Sequence, residues 1–209
     1  MAAPEWISPA AASAMLTNVP LEAAKDFGFA VLAPGSSEKR VLTADLVRAK
    51  LQPREPTAAE LTTNGPLWPI TAATSRLTVA PGVGGDPNAL EAIFEDYDAK
   101  VRSHQKMLAV VLTMHFDHDW PVTDILPLVG AYALDRLALA RRLTSLTVVH
   151  RPGDELSSRR PHAHCVVLAR SHRASGWGEI QSDIAAKDAA GRFHADWAAF
   201  RDQAAPRFR

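Results

Sequence analysis

Three histidines are spaced so that one divalent ion could take all of them. They are His150, which ends the run Val148-Val149-His150, and the pair in Pro161-His162-Ala163-His164. Side chains alternate faces along an extended strand, so His162 and His164 point the same way, about 7 Å apart. Pro161 has no N–H to give to a ladder and marks the start of that strand. In the preceding run Leu146, Val148 and His150 share a face. If the two strands pair antiparallel through the polar stretch 151–160, His150 ends beside the pair. Three imidazoles converging on one sheet face make a divalent-metal site that keeps coordination positions open.

The elements around these strands must carry them on a sheet. Lys106 to Phe116 predicts a strand, with Leu108, Val110, Leu112 and Met114 alternating with Ala109, Val111, Thr113 and His115. Pro121 to Arg142 predicts the longest helix, covering one sheet face with Ile125, Leu128, Val129, Tyr132 and Leu137. Asp86-Pro87 opens a helix through Arg102, with Asp86 as its cap. Gly176-Trp177-Gly178 reads as a turn, and the last segment as an amphipathic helix bearing Trp197 and Phe200. The expected fold is therefore α+β: an antiparallel sheet of about five strands, helices on one face, and the other face open to ligand.

The first half is less regular. Phe27 to Leu32 suits a strand, and Leu42 to Leu51 a helix capped by Thr43. Residues 1–25 suit a short helix or arm. From Gln52 to Gly85 prolines and glycines interrupt the chain, with one short strand at Arg76–Ala80. The expected division is a partly irregular extension over 1–85 and an α+β domain over 86–209.

Composition bounds the function. At 209 residues, 47% hydrophobic, the chain can bury a sizeable core. It has no apolar run of membrane-spanning length and no signal-peptide pattern at its start. A single cysteine, Cys165, excludes an internal disulfide and fits a reducing cytoplasm. Formal net charge is zero, yet residues 137–209 hold 12 Lys and Arg against 7 Asp and Glu. Most of that excess is arginine near the histidines, a residue suited to bidentate phosphate contact. Arg159, Arg160, Arg170 and Arg173, with His172, are the candidate phosphate-facing residues.

His150 and the run Pro161-His162-Ala163-His164-Cys165-Val166-Val167-Leu168-Ala169-Arg170 resemble the histidine–hydrophobic–histidine motif of the MobA/MobL relaxases. These are plasmid-mobilisation nucleases of the HUH endonuclease class. The resemblance covers about residues 95–203, from the strand at Lys106–Met114 through Trp120-Pro121 to Trp197-Ala198-Ala199-Phe200. It implies a divalent ion, Mn²⁺ or Mg²⁺, on His150, His162 and His164, polarising the scissile phosphate of single-stranded or hairpin DNA. By affinity, imidazoles also suit Zn²⁺, Ni²⁺ or Co²⁺. A tyrosine then attacks phosphorus, leaving a 5′-phosphotyrosine and a free 3′-hydroxyl. Partners in a mobilisation complex are implied as well. The family keeps its tyrosine near the N-terminus, whereas residues 1–94 here contain none. Tyr132 falls on the apolar stripe of the long helix and reads as core, which leaves Tyr97 as the candidate nucleophile.

Two other readings use the same residues. A metal-dependent phosphoesterase would attack with a metal-bound water and need no tyrosine. An interaction or DNA-binding domain would keep the three histidines as a vestigial site.

Overall fold

In the computed structural model, residues 5–21, 24–35, 40–64, 68–84, 90–154 and 160–208 are described. The expected cap Asp86 lies outside them. Six strands form one antiparallel sheet in the order β1-β2-β4-β6-β5-β3. They are β1 (Leu16–Val19), β2 (Phe27–Leu32), β3 (Thr74–Thr78), β4 (Ala109–His115), β5 (Ser145–His150) and β6 (His162–Leu168). A separate hairpin pairs β7 (Arg170–Arg173) with β8 (Gly176–Ile180), so Gly176, Trp177 and Gly178 belong to a strand, and the turn is made by Ala174 and Ser175 just before Gly176 at φ 101°.

The α+β architecture on an antiparallel sheet is as expected, and two particulars differ. The sheet has six strands, and three of them come from residues 1–85, the stretch expected to be a partly irregular extension. β2 pairs along the whole of one side of β4, and β3 along one side of β5. Helices also cover both faces. Val110, Leu112, Met114, Ala163, Cys165 and Val167 pack under α5 (Val122–Tyr132) and α6 (Ala189–Ala204), with Tyr132, Phe193 and Trp197 in the same core. Helix α5 runs on as a π-helical turn over Ala133–Leu139, so the long helix expected from Pro121 is present.

On the opposite face Val111, Leu146, Val148, Val166 and Leu168 pack against Leu46, Val47, Phe94 and Tyr97. Those four lie on α2 (Thr43–Leu51) and α4 (Leu90–Ala99), while α1 (Pro9–Ala14) and α3 (Ala58–Asn64) are short. The histidines share the parity of this second face, so they stand away from α5, as expected, but their face is roofed everywhere except at one end. Strands whose residues are apolar at both parities are buried on both sides.

Helix α2 is held firmly at its start. Thr43 is its first residue and not its cap. Instead Asp98 of α4 reaches across and accepts from the Thr43 and Ala44 backbone N–H groups, both at 2.9 Å, and from the Thr43 hydroxyl at 2.8 Å. Burial outweighs these bonds and holds the Asp98 carboxyl above its ordinary value. Among the described residues no helix is long and apolar enough to cross a membrane.

Candidate metal centre

Strand register brings the three histidines together. His150 stands directly opposite His162, and His164 stands opposite Thr113 of β4. One nitrogen from each ring lies within 4.8 Å of the other two, close enough to share an ion. The ring centroids are 4.9 to 5.2 Å apart. All three are buried, at 0%, 2% and 7% exposure for His150, His162 and His164.

Hydrogen bonds assign the tautomers, since a carbonyl only accepts and an ammonium only donates. His150 Nε2 lies 2.8 Å from the Lys50 carbonyl, so that nitrogen carries the proton and Nδ1 holds the lone pair. His162 Nδ1 donates to the Arg160 carbonyl at 3.1 Å, which leaves the lone pair on Nε2. His164 Nε2 accepts from the Lys50 ammonium at 3.2 Å, so its Nδ1 donates to the Thr113 hydroxyl at 3.0 Å. Each ring therefore carries one lone pair, that of His164 being turned to the Lys50 ammonium, with its other nitrogen anchored to the protein. Outer hydrogen bonds of this kind orient the imidazoles of metal sites. The donor set suits a divalent transition ion.

The unroofed end opens into a cavity of about 520 Å³ lined by Ser13, Asn18, Lys50, Thr113, His162 and His164, among others. His115, opposite His162 on β4, lines this cavity and also a second of about 810 Å³. Asp26, Trp120, Arg160 and Arg201 line the second. The two form neighbouring depressions along one end of the sheet.

The tyrosines are elsewhere. Tyr97 is fully buried, and its hydroxyl donates to the Leu108 carbonyl at 2.7 Å while accepting from Gln105 at 2.9 Å. Burial pushes that hydroxyl up to about 12. Leu108 precedes β4 at the end away from His115, so Tyr97 lies roughly five strand residues, or about 17 Å, from the histidine end. The structure thus places it apart from the histidines it was expected to serve. Tyr132 is on the other face of the sheet, its hydroxyl raised by burial and the neighbouring Asp196.

The basic candidates divide. Arg160 lines the second cavity and is ion-paired with Asp117 at 2.9 Å. Arg159 lies outside the described residues. Arg170 is buried and donates to the carbonyls of Trp177, Gly178 and Lys100 at 2.6 to 2.7 Å, so it braces the hairpin. His172 stacks on Trp177 with centroids 3.7 Å apart and is bonded to Thr144 at 2.9 Å. Both belong to packing, contrary to the phosphate-facing role expected. Arg173, in the same hairpin, is exposed. Sequence reasoning missed Lys50 and Thr113 and left His115 aside. Only the parity of Thr113 and His115 on β4 was there to suggest them.

No family model matches the sequence, and no curated protein matches it. A solved structure described as "Molecular Basis of Vancomycin Resistance Transfer in Staphylococcus aureus" is similar over 85% of this chain and 90% of that one. Its TM-score is 0.58 at 12% sequence identity, a likeness of fold. That likeness agrees with the α+β architecture expected from the sequence.

Proposed function

We propose that this chain is a relaxase-like DNA-processing domain that binds a divalent metal on His150, His162 and His164 and a phosphodiester of single-stranded DNA in the groove before them. The observation that carries the reading is the convergence of three imidazoles, two of which, His162 and His164, line a groove. A divalent ion there would act as a Lewis acid on a phosphate oxygen. The chain's own residues orient that ion. The Lys50 and Arg160 carbonyls fix the tautomers of His150 and His162, and the Lys50 ammonium fixes that of His164, whose other nitrogen rests on Thr113. His115, Trp120 and Arg160 continue the binding surface, with Arg160 a phosphate contact and Trp120 an aromatic edge for a base.

A second reading, a phosphoesterase in which water attacks, is favoured by one observation: both tyrosine hydroxyls are buried and engaged away from the histidines. Incubation with Mn²⁺ and an end-labelled single-stranded oligonucleotide separates the two. The relaxase reading expects Mn²⁺ to tighten DNA binding, with a covalent protein–DNA adduct marking nicking. Free cleaved product supports the water mechanism. His162→Ala should abolish every Mn²⁺ effect, and Arg160→Ala should lower the salt slope of binding by about 0.7. DNA binding indifferent to Mn²⁺ and to His162 would sink both.

A further inference from the structure

One residue outside the histidine motif touches two of the three imidazoles. Lys50 sits in the last turn of α2, where backbone carbonyls have no partner within the helix. Its carbonyl accepts a hydrogen bond from His150 Nε2, and its ammonium donates to Nε2 of His164. That second contact uses the lone pair a metal would need. A lone pair holds one ammonium proton or one metal ion and not both, and two cations at one point repel. Lys50 is itself buried at 6% exposure, and its helix is pinned at the far end by Asp98, so the residue is placed and not drifting. It also lines the groove, which gives the ammonium somewhere to go.

We propose that Lys50 is a positioning residue of the metal centre: its carbonyl sets the tautomer of His150, and its ammonium holds the coordinating nitrogen of His164 until a divalent ion displaces it into the groove. The inference rests on the metal-binding reading above. Displacement has a cost that the metal must meet, so the charge of Lys50 weakens metal binding while its backbone assists it.

Calorimetric titration of the full chain with Mn²⁺ alone tests this. Lys50→Met keeps the carbonyl and the apolar stem and removes the charge, and should bind Mn²⁺ at least about tenfold more tightly than wild type, some 1.4 kcal/mol. Lys50→Arg keeps the charge and should bind no more tightly than wild type. A merely structural lysine would give the opposite sign, because its loss would loosen the site. Circular dichroism checks folding, and Lys50→Gln replaces the methionine variant if that one unfolds. Wild type that binds Mn²⁺ through His162, with the uncharged variant no tighter, overturns the inference and leaves the metal reading intact. Absence of Mn²⁺ binding in wild type and uncharged variant alike overturns both.

Discussion

At the scale of single residues, the hairpin histidine is as informative as the three in the centre. Burial, with a smaller push from Lys100, lowers the affinity of His172 for a proton, against the pull of Asp96. The folded chain thus holds a neutral ring where the unfolded chain would protonate at about its ordinary value of 6.5. The unfolded state then binds more protons, so this contribution is complete above that value and is lost as pH falls below it. Thermal unfolding at pH 7.5 and 5.5 should show a smaller drop in Tm for His172→Gln than for wild type; an equal drop means the ring titrates alike in both states. The histidine triad was legible because strand parity and a short connection are local properties of His150, Pro161, His162 and His164. Lys50 was not, because its contact with His164 spans 114 residues and nothing in Arg48-Ala49-Lys50-Leu51 marks the last turn of a helix as a site. The arginines misled for a related reason: charge density does not say which guanidinium is taken up by carbonyls, as that of Arg170 is.

At the scale of elements, α2 is the part on which the site depends. Its start is tied to α4 by the Asp98 carboxylate, and its end carries Lys50. Asp98→Ala would strip three bonds and leave two buried N–H groups without an acceptor, a loss of about 2 kcal/mol. Chemical denaturation should register that loss. Because the far end of α2 would shift with it, Mn²⁺ binding should weaken, opposite in sign to the expected effect of removing the Lys50 charge. Unchanged metal affinity in a destabilised Asp98→Ala would mean that the centre is held by the strands alone. Strand β1 escaped the sequence because it is four half-exposed residues at a sheet edge, too short to show a period. The roof over the histidine face was legible in principle, since β4 is apolar at both parities.

For the whole molecule, the sheet crosses residue 85. Residues 86–209 expressed alone would leave β4 without β2 and β5 without β3, with two long apolar edges bare. That fragment should fail to give a cooperative melt or should precipitate, and a soluble fragment with sharp unfolding would mean that the later strands suffice. The order of the strands also has a consequence for how a cell makes this protein. Thr78 cannot find its neighbour until Ser145 has been translated, and Phe29 waits for Leu112. Nascent chains therefore leave the ribosome with sticky segments whose mates are still unmade, and the histidine cage closes only once β6 has been translated. Co-production of a holding chaperone should raise the soluble yield more than slower induction of the gene does.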